Sequence, residues 1–283
     1  MLKQRVDNKL SALFLNQDEE EAFMNDLLRK VKLFVLDMDG TFYLGEKRLD
    51  GALEFLNRVK ETGRDFIFFT NNSSKNGSMY IDKLARMDCL IRPDQIMTSG
   101  DVTAEFLMTH YPDKTVYLVG TPALEAAFVH AGVHLTEEMP DIVVVGFDMT
   151  LTYEKLERVC TYIRNGAMFL ATHKDINCPT EDGFIPDCGA ICAAVTLSTG
   201  VKPRYLGKPC KETLDMILRK TGYKKEEIAF VGDRIYTDVA SGVNNGALGI
   251  LVLSGETKAE DIERSDVKPD AVFGALKDMI QYL

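Results

Sequence analysis

The stretch Val31 to Leu36 is apolar at every position except Lys32, and it stops at Asp37-Met38-Asp39-Gly40-Thr41. Val31, Leu33, Phe34, Val35 and Leu36 are β-branched, aromatic or aliphatic, with no alternation of polar and apolar residues. A strand of that character has both faces covered, as in a parallel sheet. Open parallel sheets bind their ligands in the crevice beyond the carboxyl ends of the strands. The chain therefore places an acid pair, Asp37 and Asp39, where a core strand ends at the expected active-site edge. Gly40 lets the backbone turn sharply and approach an anion closely.

The rest of the chain keeps the same rhythm of strand and helix. Residues 11–30 read as an acidic helix. A helix over 51–61 carries an apolar stripe of Leu53, Leu56 and Val59, and a strand follows at 65–69. Strands are expected at 95–98, 115–119, 141–145, 168–171, 228–231 and 249–253. Helices are expected between them, at 76–87, 122–131, 189–198, 210–220 and 235–244, with Thr152 capping another that carries Leu156, Val159, Cys160 and Ile163 on one side. Such alternation predicts α/β architecture with parallel sheets.

Composition excludes several classes. Hydrophobic residues make up 46% and charged residues 27% of the 283, as in an ordinary globular protein large enough for one or two domains. No apolar stretch reaches the roughly 18 residues that a membrane span needs. Met1 to Leu10 is polar, with no apolar signal core, so the expectation is a soluble cytoplasmic protein. Lys and Arg total 33 against 43 Asp and Glu, a formal charge of −10. The pI near 5.0 argues against nucleic-acid and membrane partners. A phosphorylated ligand would then need a local positive site, which a divalent cation can supply. The cysteines, Cys89, Cys160, Cys178, Cys188, Cys192 and Cys210, show no Cys-x-x-Cys spacing and read as reduced thiols.

Four sites fall at the ends of expected strands or just after them. They are Asp37 with Asp39, then Thr70-Asn71-Asn72-Ser73, then Lys208, and last Gly232-Asp233-Arg234 with Asp238 five positions beyond Asp233. In a parallel sheet all four gather at one edge. Asp37 can act as a nucleophile that divides one hard step into two. Asp39 can protonate a leaving oxygen and then deprotonate water. Asp37, Asp233 and Asp238 offer hard oxygen ligands of the kind Mg²⁺ takes together with waters and phosphate oxygens. Clustered carboxylates repel without a cation, so the set itself implies a metal. Thr70 and Asn71 offer neutral donors to phosphate oxygens, and Lys208 offers a positive charge. Hydrolysis of a phosphate monoester, which enzymes accelerate by up to ~10²¹-fold, calls for nucleophile, acid and metal together.

These residues resemble the haloacid dehalogenase (HAD) superfamily. Asp37-Met38-Asp39-Gly40-Thr41 fits its first motif, Thr70-Asn71-Asn72 the second, Lys208 the third, and Gly232-Asp233 with Asp238 the fourth, in the family's order and spacing. With Val145-Gly146-Phe147-Asp148 and Asp187-Cys188-Gly189-Ala190, the chain is similar to the NagD-like, nitrophenyl phosphatase branch. The resemblance runs from about Val31 to the C-terminus. It implies a Rossmann-like parallel-sheet core over 1–98 and 203–283, with 1–30 an addition, and an inserted α/β cap over 99–202. It implies that Asp37 is the nucleophile and Asp39 the acid/base. Asp37 and Asp233, with the backbone carbonyl of Asp39, would hold Mg²⁺, and Asp238 would support the metal's waters. Gly40, Thr70, Asn71 and Lys208 would hold the phosphate. The matching cap loop faces the active site in the family, which makes Glu181, Asp182, Phe184 and Asp187 candidates for choosing the substrate. The implied activity is hydrolysis of a small organic phosphate (nucleotide, sugar phosphate, phosphoglycolate, pyridoxal phosphate or aryl phosphate) by a monomer or homodimer.

Other readings carry less. Gly40 and Gly45 have phosphate-loop spacing, but Glu46 stands where a lysine is required. His110, His130, His134 and His173 have no metal-ligand spacing, and 173–188 reads as a Gly-, Pro- and Asp-rich surface loop. Asn72, Ser73 and Ser74 read as turn formers, and Asp238 as a helix cap if not a ligand. A dehalogenase of the same superfamily needs neither metal nor an acid at position 39. A phosphoacceptor sensor would use similar carboxylates, cation and lysine, yet has no need of a cap of about a hundred residues. Linkers near Ser99 and Lys202 are the expected hinges of cap closure.

Overall fold

The structure is a computed structural model that describes residues 17–180 and 183–283. In chain order its strands are β1 (Leu33–Leu36), β2 (Tyr43–Leu44), β3 (Lys47–Arg48), β4 (Asp65–Thr70), β5 (Ile96–Thr98), β6 (Thr115–Val119), β7 (His134–Leu135), β8 (Ile142–Val145), β9 (Met168–Ala171), β10 (Asn177–Thr180), β11 (Gly183–Pro186), β12 (Arg204–Tyr205), β13 (Ile228–Gly232), β14 (Leu248–Val252) and β15 (Ala271–Phe273). Helices separate most of them, and the α/β class expected from the alternation is the one observed. The described residues form two compact units, divided after Ile67 and after Thr221, the first holding both ends of the described chain. β4 runs through the first division. Of the expected N-terminal helix over 11–30, Gln17–Arg29 is helical and 11–16 lie outside the described residues.

In the first unit the strand order is β15-β14-β13-β1-β4. β1 pairs parallel with β13 so that Leu33 meets Ile228 and Leu36 meets Val231, and β13, β14 and β15 are also parallel neighbours. Every residue of β1 and β13 is buried, as their unbroken apolar sequences require. Each Leu, Val, Ile or Phe side chain among them contributes about 1.5–3 kcal/mol on leaving water. Lys32, the one charge in the first stretch, stays in solvent and pairs with Glu227 Oε1 at 2.6 Å. Helix Ala52–Glu61 buries Ala52, Phe55, Leu56 and Val59, and the Phe55 ring meets Phe34 edge-on at 5.4 Å. Leu53, placed on that stripe by sequence spacing, is only half-buried because the face is centred on Phe55.

In the second unit, the last residues of β4 pair parallel with β5, Phe68 with Ile96 and Thr70 with Thr98. A separate parallel sheet has the order β12-β9-β8-β6-β7. Tyr117, Val119, Val143, Val145, Phe169 and Ala171 from its strands pack with Val159 and Ile163 of helix Tyr153–Arg164 and Ile191, Cys192 and Val195 of helix Cys188–Thr199. Thr152 caps the first of these helices by accepting from Lys155 N. The expected surface loop over 173–188 instead contains a hairpin: β10 and β11 pair antiparallel, and His173, Asp175, Asp187 and Cys188 on either side of it are buried, while Lys174 and Ile176 are exposed. Among the described residues no helix is long and apolar enough to cross a membrane.

Candidate active site

Parallel register brings the first acid cluster together. Leu36 stands opposite Val231, and Asp37 N donates to Val231 O at 2.9 Å, so the next residues of β1 and β13 emerge side by side. Asp37, Asp233 and Asp238 each offer a carboxylate oxygen, all within 4.8 Å of one another. After β1 the chain alternates: Asp37 half-buried, Met38 buried, Asp39 exposed. The two acids thus leave on the same side while Met38 packs inward. A tight turn follows, with Phe42 N and Tyr43 N donating to Met38 O and Gly40 N to Tyr43 O. Gly40 has φ +82°, and a Cβ there would lie 2.4 Å from Asp233 Oδ2. Only glycine meets both demands.

Asp238 lies in a wide helical turn, Ile235–Val239, and its Oδ2 accepts from Arg234 N at 3.0 Å. It therefore braces the loop after β13 and joins the cluster as well. Asp233 Oδ2 accepts from Glu256 N at 2.6 Å, whereas Asp233 Oδ1 is buried with no hydrogen-bond partner among the described residues. Burial first, then the charges of Asp37 and Asp238, push the Asp233 carboxyl from its ordinary 3.8 up to about 8. An orphaned carboxylate oxygen facing two more acids is a donor set suited to a hard divalent cation. The Asp39 carboxylate is not a member of the cluster. The resemblance gives that residue's backbone carbonyl, not its side chain, to the ion.

The second unit builds its own polar site at the end of β4. Lys208 is 3% exposed, and its Nζ donates to Phe69 O at 3.2 Å. Its ammonium stands 5.4 Å from the centroid of the Phe69 ring. Thr70 Oγ1 accepts from Asn72 N at 3.1 Å, and Asn72 Oδ1 accepts from Ser74 N, so the segment is the turn that its Asn and Ser residues predict. The Asn71 side-chain amide is engaged within the protein. Its nitrogen donates to Lys208 O and Asp175 Oδ2, each at 3.1 Å, and its oxygen accepts from Lys208 N at 2.9 Å.

Of the cap candidates, Glu181 and Asp182 lie outside the described residues. Phe184 is 73% exposed on β11, opposite Pro179 of β10. Asp187 is buried rather than open to substrate. It caps helix Cys188–Thr199, accepting from Cys188 N, and its Oδ1 pairs with His173 Nε2 at 2.8 Å. His173, Asp175 and Asp187 form a second group with ligand atoms within 4.8 Å, which the sequence reading of the histidines missed. Burial opposes the charged imidazole, but the Cys188 sulfur, Asp187 and Asp175 outweigh it and raise His173 to about 9. The 2.8 Å contact of His173 Nε2 with Asp187 Oδ1 makes this group a buried imidazole–carboxylate pair. His173-x-Asp175 was the available signal, silent without the distant Asp187.

The haloacid dehalogenase-like hydrolase family matches residues 34–134, and a HAD-hydrolase-like family matches 205–279. An acid sugar phosphatase of Staphylococcus epidermidis is 36% identical over 257 residues, covering 90% of this chain and 99% of that protein. The structure of a 4-nitrophenylphosphatase from Thermotoga maritima is 48% identical, covers 90% of this chain and 98% of its own, and superposes with a TM-score of 0.87. NagD from Escherichia coli K-12 is 31% identical, with 88% and 98% covered and a TM-score of 0.82. With its family matches at both ends and relatives along nearly its whole length, the chain belongs to the haloacid dehalogenase-like hydrolases, in the branch that holds NagD and the nitrophenyl phosphatases.

Proposed function

We propose that this chain is a Mg²⁺-dependent phosphomonoesterase that hydrolyses a small organic phosphate through a phosphoryl group carried on Asp37. The observation that carries the reading is the meeting of Asp37, Asp233 and Asp238 at the ends of β1 and the neighbouring β13, with Asp233 Oδ1 buried and unpartnered. The names of the relatives, acid sugar phosphatase and 4-nitrophenylphosphatase, put sugar phosphates and aryl phosphates first among the substrates. Asp37, Asp233, the Asp39 carbonyl and, through waters, Asp238 would hold the cation. Bound there, it would neutralise the carboxylates and the phosphate charge that builds up in the transition state.

The chain's own residues then divide the work. An Asp37 carboxylate oxygen attacks phosphorus as the bond to the leaving oxygen breaks, and Asp39 gives that oxygen a proton. Asp39 next takes a proton from water as the water oxygen attacks the Asp37-borne phosphorus, and inorganic phosphate leaves. Lys208 and the main chain of Thr70 and Asn71 hold the phosphate oxygens; β4, which delivers Thr70, follows β1 in the strand order. Residues 99–202 form the inserted cap domain and 1–98 with 203–283 the core, and Phe184 is the exposed cap residue proposed to choose among leaving groups.

The test is a panel of sugar, nucleotide, aryl and carboxylic-acid phosphates assayed for phosphate release with Mg²⁺, alongside Asp37→Asn. Turnover by the parent and its loss in the variant are expected. Undiminished turnover by Asp37→Asn refutes the assignment of the nucleophile, and full turnover in excess chelator refutes that of the cation.

A further inference from the structure

Asn71, Asp175, His173 and Asp187 form a buried polar chain that ends on Lys208 and that the reaction above does not use. A side-chain amide has two N–H donors and one oxygen to satisfy. In Asn71 one N–H goes to Lys208 O at 3.1 Å, the oxygen takes Lys208 N–H at 2.9 Å, and the second N–H goes to Asp175 Oδ2 at 3.1 Å. Only one of the amide's two orientations can grip both main-chain groups of Lys208. A carboxylate accepts and cannot donate, so Asp175 enforces that orientation from outside the grip. The approach is close: a Cβ on Gly207 would lie 2.8 Å from Asn71 Oδ1 and 2.6 Å from Thr172 O.

Asp175 is itself 9% exposed and needs a compensating charge. His173 supplies it. The imidazole Nε2 faces Asp187 Oδ1, a pure acceptor, at 2.8 Å. Nδ1 faces Thr172 Oγ1 at 2.9 Å and Ser99 Oγ at 3.3 Å, and the Ser99 proton is already given to Asn71 O. Thr172 Oγ1 donates to Cys188 Sγ at 3.6 Å, so both hydroxyls present lone pairs to Nδ1 and the ring keeps both protons. The same hydroxyl, Ser99, thus ties the histidine to the main chain of Asn71.

We propose that Asp175 is a positioning residue for Lys208, acting through the Asn71 amide and held in place by His173. It touches no reacting atom. The proposal rests on the reading of Lys208 as the cation that holds the phosphate. Its consequence is that loss of Asp175 leaves Lys208 present but misplaced, and a displacement near 1 Å at a reacting centre costs on the order of 10²-fold in rate.

The experiment is a double-mutant cycle with Asp175→Ala and Lys208→Met, read as kcat and KM for p-nitrophenyl phosphate with Mg²⁺ and as the Kd of inorganic phosphate. In the parent background Asp175→Ala should lower kcat by about 10²-fold and weaken phosphate binding. In the Lys208→Met background the same change should cost less than about 3-fold, because the group it positions is gone. Asp175→Asn, which keeps an acceptor oxygen, should restore most of the loss. Equal factors in both backgrounds overturn the proposal. If Asp175→Ala does not fold, Asp175→Asn carries the same comparison, with a loss of about 5-fold expected only where Lys208 is present. A parent that binds phosphate but hydrolyses no ester sinks the phosphatase reading while the binding cycle still decides this one. A parent that does neither overturns both.

Discussion

Asp233→Asn separates what the acid cluster does for catalysis from what it does to stability. Asp233 is 3% exposed, so water screens it little. Its carboxyl is pushed from 3.8 to about 8 by burial and by Asp37 and Asp238. Below 3.8 the native and unfolded states both hold the proton. Between 3.8 and about 8 the unfolded chain has released it and the cation-free native state has not, so stability falls as pH rises, and above about 8 the loss levels off. At pH 7 the gap is roughly three pK units at ~1.4 kcal/mol each, on the order of 4 kcal/mol. Asparagine keeps an oxygen for Glu256 N and puts an N–H where Asp233 Oδ1 has no partner, beside two carboxylates. In excess chelator at pH 7 the variant should therefore be more stable than the parent by roughly 2–4 kcal/mol, or about 5–10 °C in Tm. The difference should shrink toward zero near pH 4. With Mg²⁺ the order should narrow or reverse, because a cation at 100 times its Kd adds ~2.7 kcal/mol to the parent alone. Thermal unfolding followed by circular dichroism from pH 4 to 9, with chelator and with Mg²⁺, measures all of this. A variant less stable than the parent in chelator at every pH would refute the reasoning, as would equal stabilisation of both by Mg²⁺.

Three further outcomes follow from other sites. Gly40→Ala should lower stability by about 1–3 kcal/mol and weaken cation affinity, since it combines a left-handed φ with a 2.4 Å approach to Asp233 Oδ2; isothermal titration with Mg²⁺ reads the second effect. His173 is raised from 6.5 to about 9, so the stability it contributes is complete below pH 6.5 and is lost as pH rises through about 9. His173→Asn should remove that loss, and identical pH profiles of urea midpoints for parent and variant would contradict the buried ion pair. Phe184→Ala should raise KM for aryl phosphates several-fold more than for a small aliphatic phosphate, because the exposed ring offers stacking only to the former; equal changes would take Phe184 out of substrate choice.

Local pattern determined much of this protein. The apolar stretch before Asp37 made β1 a doubly covered strand, and the same logic at Ile228 made β13. In-register parallel pairing of two such strands is enough to set Asp37 beside Asp233. The positions of Lys208, Thr70 and Asp238 were likewise legible, because strand ends and the loops after them are marked by a change from apolar to polar residues. Short elements such as β15 carry too few residues for a period to show. What the tertiary structure alone decided was the use of the polar side chains around those positions. That the Asn71 amide is taken up by Lys208 and Asp175 shows only in the fold. Asp187 reads as a surface acid in a loop until helix Cys188–Thr199 and His173 close over it. A side chain's period follows from its neighbours in sequence, but its partners follow from chain closure over distances of 14, 104 and 137 residues, which no local pattern encodes.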